Sequence, residues 1–379
     1  MMKYDQNERT VIRGLRDVAA ASTQKSFVAP RGILYYSGYN IDDLVDQASF
    51  EEVIYLLLNN NLPRSSELAE LKSQLFSEMA LPLPVVERIK IASTFCHPME
   101  ILRTTISHLA EFDPEPEDAS EEANKRRAIR IIAKVPTIVS FLYRTRTHQE
   151  AVVPLKENSF ADNFLYMFRG KPADYLEKLA MERYMILHAD HGLNASTFAA
   201  RVTAGTGSDL YSAITSAVGT LKGKFHGGAS ERVMKMLYEI NSIDEVEEYI
   251  QTMLDYKQKI MGFGHRVYKT EDPRSKHLRV LAEQLCHKKD TVEIYNKCKK
   301  IEQTVREKKG IFPNVDYYAA LVMHALGVPR NYFTSFFACS RVTGWTAHVL
   351  EQYTDGVLIR PTSKYTGAYG KKFVTIDKR

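Results

Sequence analysis

The sequence of 379 residues predicts an all-α protein, and three observations support that fold class. Hydrophobic residues recur at spacings of three and four along most of the chain, which is the period of an amphipathic helix. Several of these runs begin with a capping-box pattern, whereas only two short segments have the composition of strands. Hydrophobic residues make up 44% of the chain, enough for a large core, so a mostly disordered chain is excluded.

Helix starts are predicted at three capping boxes, in which a polar residue is followed three positions later by glutamate. These boxes are Ser49 with Glu52, Ser242 with Glu245, and Asp290 with Glu293. The first helix is expected to end before Pro63, and Leu278, Leu281 and Leu285 mark another helix. Residues 332–353 contain no proline and a single glycine, so we expect a long, mostly buried helix there.

Strand signals are few. Residues 32–39 (GILYYSGY) and 372–376 are the best strand candidates. Residues 112–124 are acidic and contain proline, so we expect an exposed loop followed by the start of a helix. No repeat of 20–50 residues is present, which excludes a helical solenoid.

Two punctuated segments suggest a domain boundary. Glycine or proline breaks the helical pattern at residues 223–228 and again at residues 310–313. We therefore expect residues 226–327 to form a small helical domain. Residues 1–225 and 328–379 would together form the large domain.

Composition excludes several classes of function. Lysine plus arginine exceed aspartate plus glutamate by 51 − 46 = 5, which is too small a surplus to indicate nucleic-acid binding. No apolar run approaches the roughly 18 residues of a membrane span, and the N-terminus MMKYDQNERT lacks the apolar stretch of a signal peptide. The four cysteines have neither CxxC spacing nor the density of a disulfide framework. We expect a soluble cytoplasmic protein with neither nucleic acid nor membrane as a partner.

His188 and His191 lie three residues apart, a spacing that would put both rings on one helix face. Such a pair suits a metal ion or an anion, or it is a pair of hydrogen-bonded histidines in the core. The HExxH motif is absent, and no further cluster of metal-ligating residues is evident in the sequence. We therefore do not expect a metal site.

Two other histidines lie in glycine-rich segments. His226 is part of KGKFHGGA, where glycine would let a ligand or another backbone approach the ring, although a surface turn is the alternative. His265 is part of GFGHRVYKTEDPR, which also holds Lys269 and Arg274 and is dense in groups for proton transfer and anion binding. A basic surface loop is the alternative there. Neither a Walker loop nor GxGxxG is present, so nucleotide binding is not indicated.

Three further charged residues are candidates for the same chemistry. Asn314 is expected to cap a helix with Asp316 in its first turn, a position that local structure alone explains. Arg341 lies within the long apolar helix, and Arg360 follows a turn. A buried guanidinium costs free energy unless it meets an anion, so each arginine predicts either a structural ion pair or the capture of a phosphate or carboxylate.

The order of these segments resembles the citrate synthase family in its shorter bacterial and archaeal form. The matching motifs are HADH at 188, HGGA at 226, GFGHRVYKTEDPR at 262, PNVD at 313, SR at 340 and IRP at 359. The segment GHRVYK…DPR is highly specific for that family, and the resemblance covers residues 38–367. It implies a nearly all-α fold in which a small domain closes on the substrate.

The resemblance also implies roles in a Claisen-type condensation. Asp316 would remove a methyl proton from an acyl thioester, His226 would stabilise the resulting enol or enolate, and His265 would protonate the keto oxygen of oxaloacetate. Such groups contribute about 10²–10⁴ each in rate. The expected activity is that of an acyltransferase, citrate synthase, which forms citrate and coenzyme A from acetyl-CoA, oxaloacetate and water.

Substrate-binding roles follow from the same resemblance. His191, Arg274 and Arg341 would hold the carboxylates of oxaloacetate, and Arg360 would reach the site from the second subunit of a homodimer. Lysines near the coenzyme A phosphates would be Lys269, Lys308 and Lys309. The thioester is a co-substrate, and neither a tightly bound cofactor nor a metal is expected.

Two alternatives and two departures from the family pattern accompany this hypothesis. 2-Methylcitrate synthase uses propionyl-CoA with the same machinery, and a silent relative that senses coenzyme A or citrate belongs to another class. The family usually has Pro-Leu before the HGG histidine, whereas this chain has Lys224 and Phe225, and the extra cation would disfavour protonation of His226. Glutamate is common after His191, where this chain has Gly192.

Overall fold

The computed structural model describes residues 10–93 and 96–379, so the polar N-terminus, residues 1–9, lies outside the described residues. Sixteen α-helices and one small sheet in these ranges confirm the all-α prediction. The helices are α1 (Ile41–Gln47), α2 (Phe50–Asn59), α3 (Ser65–Glu78), α4 (Leu83–Ala92), α5 (Pro98–Leu109), α6 (Glu121–Arg146), α7 (Phe160–Arg169), α8 (Tyr175–His188), α9 (Ala195–Ala204), α10 (Leu210–Leu221), α11 (Ala229–Glu239), α12 (Val246–Asp255), α13 (Pro273–Lys288), α14 (Val292–Lys309), α15 (Val315–Ala325) and α16 (Phe333–Asp355).

The sheet is antiparallel, with strands in sequence order. Its strands are β1 (Ser26–Ala29), β2 (Ile33–Tyr36) and β3 (Tyr39–Asn40). The predicted strand at residues 32–39 corresponds to β2 and the start of β3, while β1 had no clear strand pattern. The predicted strand at 372–376 is wrong: these residues are exposed and pair with no strand in the described ranges.

One of the three predicted capping boxes forms. Ser49 Oγ accepts from Glu52 N at 3.3 Å, and Glu52 Oε2 accepts from Ser49 N at 2.7 Å. The box at Ser242 is wrong because a 3₁₀ turn precedes α12, which no side chain caps. The box at Asp290 is also wrong, since its φ of +54° belongs to the turn that ends α13, and α14 begins two residues later.

The long helix predicted at residues 332–353 is α16, and it is the most buried helix of the core. It packs against α2, α6, α8, α9, α10 and α11, so its side chains are fixed from several directions. The loop and helix start predicted at residues 112–124 are confirmed: residues 113–120 connect a 3₁₀ turn that ends at residue 112 to α6, and residues 121–124 begin α6.

The five helices from α11 to α15 contact one another. Both α11 and α13 pack against α15, and α12 packs against α14. α13 also contacts α1 and α8: Lys276 near its start pairs with Asp42, and Lys288 at its end pairs with Asp174. None of the helices in the described ranges combines the length and the apolar character needed to cross a lipid bilayer.

Candidate active site

A cavity of about 1380 Å³ lies between the N-terminal segment, the loop after α8, the starts of α11, α13 and α15, and α16. Most residues that the sequence singled out line it, and these are His191, His226, His265, Arg274, Lys309, Asp316 and Arg341. Lys269, Lys308 and Arg360 are not among its lining residues. The Lys269 backbone N–H donates to the Pro30 carbonyl, Lys308 Nζ donates to a glutamine on α12, and Arg360 is exposed.

The two histidines of the HADH motif do not share a helix face, so that expectation is wrong. α8 ends at His188, whose buried ring stacks on Tyr184 and is hydrogen bonded through Nδ1 to the Tyr184 carbonyl at 2.8 Å. His188 is therefore a core histidine. His191 lies in the loop beyond the helix, followed by Gly192, whose φ of +58° is a left-handed conformation that suits glycine.

α16 holds this loop at three points along one of its faces. The contacts are Arg341 Nε to the His188 carbonyl (2.7 Å), Gly344 N to the Ala189 carbonyl (3.1 Å), and His348 Nε2 to Asp190 Oδ2 (3.2 Å). Glycine is required at residue 344, since a Cβ there would lie 2.4 Å from the Ala189 oxygen. Burial opposes the charge of Asp190, but His348 and other partners outweigh it and lower its pKa. The loop that carries His191 is therefore fixed by the buried face of α16.

His226 is anchored through its Nε2 atom. The Ser196 backbone N–H lies 3.3 Å from Nε2 and donates to it, and Ser196 Oγ lies 2.8 Å away. Because a backbone N–H can only donate, Nε2 is the acceptor and the neutral ring carries its hydrogen on Nδ1. Burial, with Arg341 second, lowers the pKa of His226 to about 4. The neutral ring is thus a hydrogen-bond donor through Nδ1.

The residues on either side of His226 are Gly227, which a close backbone contact requires, and the Lys224–Phe225 pair. A Cβ on Gly227 would lie 2.6 Å from the Leu221 carbonyl oxygen, so a close backbone approach requires glycine there. Lys224 is not among the causes of the lowered His226 pKa, and its Nζ lies 5.1 Å from the Phe225 ring centroid instead. The expectation that this extra cation disfavours protonation of His226 is therefore wrong.

The His265 loop is joined to the start of α15. Gly264 N donates to the Phe312 carbonyl at 2.9 Å, and Asn314 Nδ2 donates to the Gly264 carbonyl at 2.9 Å. The backbone N–H groups of residues 267 and 268 donate to His265 Nδ1, so the ring hydrogen is on Nε2. Burial, followed by Arg274, lowers the pKa of His265 to about 4.

Tyr268 contacts two of the histidines. Its hydroxyl lies 2.9 Å from His191 Nε2, and its ring centroid lies 4.5 Å from that of His265. The His191 and His265 rings are themselves 5.2 Å apart, edge to face. The two imidazoles and the tyrosine therefore form a cluster in which each ring contacts the other two.

Asp316 lies in the first turn of α15, as predicted. Asn314 caps the helix, with its Oδ1 accepting from Asp316 N at 3.1 Å. Ser230 Oγ donates to Asp316 Oδ1 at 2.8 Å. Burial raises the pKa of Asp316, which makes its carboxylate a stronger base than an exposed aspartate.

The two buried arginines differ in their partners. Arg274 donates from Nε and Nη2 to Asp272 at 3.0 and 2.8 Å, and Asp272 outweighs burial in raising the pKa of Arg274. Arg341 forms no ion pair with any described residue; its guanidinium donates to the His188 carbonyl and lies over Phe337. Burial lowers the pKa of Arg341 to about 10, so it remains charged at neutral pH. Its charge is available to an anion in the cavity.

Sequence reasoning missed several polar residues that position the site. They are Ser26, Asp190, Ser196, Ser230, Tyr268 and His348. Serine and tyrosine carry no local signal for such a role, because the partners are 30 or more residues distant in the chain. Asp190 and Tyr268 lie inside motifs already singled out, so adjacency to the candidate histidines was the one usable signal.

The arrangement joins one buried carboxylate, two neutral imidazole donors and two buried guanidinium groups around one cavity. Such a site can remove a proton from a carbon acid, stabilise the developing oxyanion and bind a dicarboxylate. No group of three or more histidine, cysteine, aspartate or glutamate residues within the described ranges is arranged to hold a metal ion.

Comparison with known proteins finds similarity along nearly the whole chain. The family model "Citrate synthase, C-terminal domain" matches residues 14–362. Citrate synthase 2 of Bacillus subtilis is 48% identical over 98% of this chain and 100% of its own, and the citrate/2-methylcitrate synthase of the same organism is 40% identical over 93% and 96%. The solved ternary complex of Thermoplasma acidophilum citrate synthase with carboxymethyl coenzyme A and oxaloacetate has a TM-score of 0.92 and 34% identity, covering 98% of this chain and 100% of that one.

Proposed function

Because this chain belongs to the citrate synthase family, it condenses acetyl-CoA with oxaloacetate and releases citrate and coenzyme A, and we propose that Asp316, His226 and His265 carry out the chemistry. The observation that supports this assignment is the convergence of all three side chains, with Arg274 and Arg341, on one cavity. The reaction is an acyl transfer in which the acyl group becomes an alkyl group. Coenzyme A enters as the thioester co-substrate, and we propose that no tightly bound cofactor takes part.

Proton removal is assigned to Asp316. The α-proton of a thioester is a weak acid, so the base needs both a raised pKa and a partner that stabilises the enolate as it forms. Burial raises the pKa of Asp316, and the Nδ1–H of neutral His226 is the donor for the thioester oxygen. The C–H electron pair becomes the C=C bond of the enolate, the carbonyl π pair moves onto the thioester oxygen, and the proton moves to the Asp316 carboxylate.

His265 is assigned as the proton donor during carbon–carbon bond formation. The enolate carbon attacks the keto carbon of oxaloacetate as the thioester carbonyl re-forms, and the keto oxygen takes a proton from His265 Nε2 as its π bond breaks. The proton held by Asp316 balances the one that His265 gives up. The Nδ1 contacts with residues 267 and 268 support this direction of donation. Water then cleaves the citryl thioester, placing hydroxyl on the acyl carbon and hydrogen on the departing sulfur.

Oxaloacetate is held by charge and by hydrogen bonds. Arg341 has no protein carboxylate partner in the described ranges, which supports a substrate carboxylate as its counter-ion. Arg274 uses two nitrogens on Asp272 and keeps Nη1 for the other carboxylate. His191 would contribute a further hydrogen bond. Held in this way, the keto carbon would be oriented toward the enol before reaction.

Arg360 is proposed to reach the site of a second subunit in a homodimer. It is exposed, and it lies in a C-terminal segment that has no helix or strand after α16 apart from a 3₁₀ turn at Ile376–Lys378. Apolar side chains along this segment are exposed, among them Leu358, Tyr369 and Phe373. Their burial against a second copy would remove that apolar surface from water. A cytoplasmic location is proposed on the resemblance alone.

Coenzyme A is proposed to bind at the mouth of the cavity near Lys309, with Lys269 and Lys308 reaching it on domain closure. The closing unit would be residues 226–327, whose helices α11–α15 contact one another. Closure by this small domain onto residues 1–225 and 328–379 would exclude water until the new bond is made.

The thioester preference decides between two named activities. The relative named citrate/2-methylcitrate synthase is 40% identical, so propionyl-CoA is the competing substrate to test. One methylene changes selectivity by about 1–3 kcal/mol, or roughly 10- to 200-fold. We expect a higher kcat/KM for acetyl-CoA than for propionyl-CoA when thiol release is followed with oxaloacetate. The reverse preference would assign the chain to 2-methylcitrate synthesis.

A further inference from the structure

Ser230 and Asp316 are 86 residues apart in the chain but are joined by one hydrogen bond. Ser230 Oγ donates to Asp316 Oδ1 at 2.8 Å. Ser230 is the second residue of α11 and is 7% exposed, and Asp316 is the second residue of α15. Because α11 packs against α15, the helix packing holds the two side chains together.

The two oxygens of Asp316 therefore have different surroundings. Oδ1 accepts from Ser230, whereas Oδ2 has no protein hydrogen-bond donor in the described part of the chain. The terminal torsion of an aspartate is broad and roughly two-fold, so an unconstrained carboxylate presents either oxygen. A single donor on Oδ1 removes that freedom and leaves Oδ2 for the cavity.

We propose that Ser230 is a positioning residue for the condensation: its hydroxyl group fixes the Asp316 carboxylate so that Oδ2 takes the proton from the acyl thioester. This inference rests on the proposed role of Asp316 as the base. Ser230 is separated from His226 by three residues, so a single short segment would position both the enolate donor and the base.

The pKa of Asp316 depends on burial, on the Ser230 hydroxyl group and on the charged and titratable groups that face its carboxylate. These are Arg274 on α13, Asp272 before it, Arg341 on α16 and Tyr184 on α8. Burial is the largest effect and raises the pKa of Asp316, while Ser230, Arg274 and Arg341 lower it. Removing the hydroxyl group leaves the charged neighbours in place. The carboxylate pKa then rises further, and the base becomes protonated at a higher pH.

The test compares Ser230→Ala with Ser230→Thr, which keeps a hydroxyl group. Ser140→Ala is the matched control, because Ser140 is a buried serine on α6 with no hydrogen-bond partner in the described ranges. For each variant, kcat is measured against pH, together with KM for oxaloacetate and the deuterium isotope effect on kcat/KM with trideuteroacetyl-CoA. Ser230→Cys, a weaker donor of similar size, serves if the alanine variant is insoluble.

We expect the acidic limb of the kcat profile of Ser230→Ala to move up by about one pH unit, equivalent to about 1.4 kcal/mol. Below that limb, kcat falls about tenfold, and the isotope effect increases because proton removal becomes slower. KM for oxaloacetate stays within about twofold, Ser230→Thr restores the limb, Ser230→Cys shifts it by less, and Ser140→Ala behaves as wild type.

An unchanged acidic limb and isotope effect in Ser230→Ala would overturn the proposal, even if the variant were less stable. The same holds if Ser230→Thr fails to restore the limb in a folded protein. Failure of the underlying function is distinguished by Asp316→Asn: full turnover there removes Asp316 as the base, whereas loss of turnover there with an unshifted Ser230→Ala profile removes only Ser230.

Discussion

Replacing Arg341 by methionine should increase the stability of the free protein while it abolishes efficient use of oxaloacetate. Arg341 is 2% exposed and has no ion-pair partner within the described ranges. Burial lowers its pKa well below that of an exposed arginine, to about 10. That difference corresponds to roughly 3 kcal/mol of destabilisation of the folded state at neutral pH, where the guanidinium stays charged.

The opposing losses are smaller. Methionine gives up the hydrogen bond to the His188 carbonyl, worth about 1–1.5 kcal/mol, and the contact of the cation with Phe337. The net expectation is a gain of about 1 kcal/mol and a rise in Tm of a few degrees. Substrate binding loses two hydrogen bonds to a carboxylate at about 1.5–3 kcal/mol each, so kcat/KM for oxaloacetate falls about 10²- to 10⁴-fold.

The assay is thermal unfolding of Arg341→Met with and without oxaloacetate, alongside steady-state kinetics. Arg201→Met is the matched control, because Arg201 is equally buried but is paired with Glu351 at 2.6 Å and with Gln352 at 2.8 Å. Removing one partner of such a pair costs about 3–5 kcal/mol. We expect opposite changes in Tm for the two variants, and oxaloacetate should raise Tm in wild type but not in Arg341→Met. A less stable Arg341→Met protein that still binds oxaloacetate normally would refute the reasoning.

Three further outcomes are expected. Mixing inactive Arg360→Gln subunits with inactive Asp316→Asn subunits should restore about a quarter of wild-type turnover. After random exchange about half of the dimers are mixed, and one of the two sites in each mixed dimer is intact. No recovery after verified subunit exchange would contradict a shared site. Phe225→Leu should raise KM for acetyl-CoA several-fold and leave KM for oxaloacetate unchanged, because Phe225 is 83% exposed and lines the cavity. An equal change in both KM values would argue against contact between Phe225 and the thioester. Burial lowers the pKa values of His226 and His265 to about 4, so both rings are neutral above about pH 5. Neither ring should therefore produce a limb in the pH profile of kcat between pH 5 and 8. A change in that profile near pH 6.5 that is lost in His265→Gln would contradict their neutral state.

Much of the fold was predictable because helices leave local patterns. The box at Ser49 and the apolar run of α16 were identified from spacing and composition alone. The box at Asp290 failed because the same residue types also occupy left-handed positions that end helices. The tail at 372–376 failed because strand composition does not supply a partner strand.

The site was predictable in its residues but not in its connections. The ordered motifs identified Arg274 and Asp316 as candidates, yet neither motif indicated that Asp272 also accepts from Val315 N at 3.1 Å and so links the two segments. The roles of the Ser196 and Ser230 hydroxyl groups could not be predicted either, because their hydrogen-bond partners are determined by how distant segments pack together. Tertiary packing, and not local propensity, decides which of many serines contacts a catalytic group.

The assignment of Asp316 as the base is tested most directly by comparing Asp316→Asn with wild type. The amide keeps the shape of the carboxylate but cannot accept the thioester proton, so the account predicts that kcat for thiol release from acetyl-CoA falls at least about 10³-fold. Oxaloacetate should still raise the Tm of the variant, which would show that the site is intact. Turnover within tenfold of wild type would contradict the account.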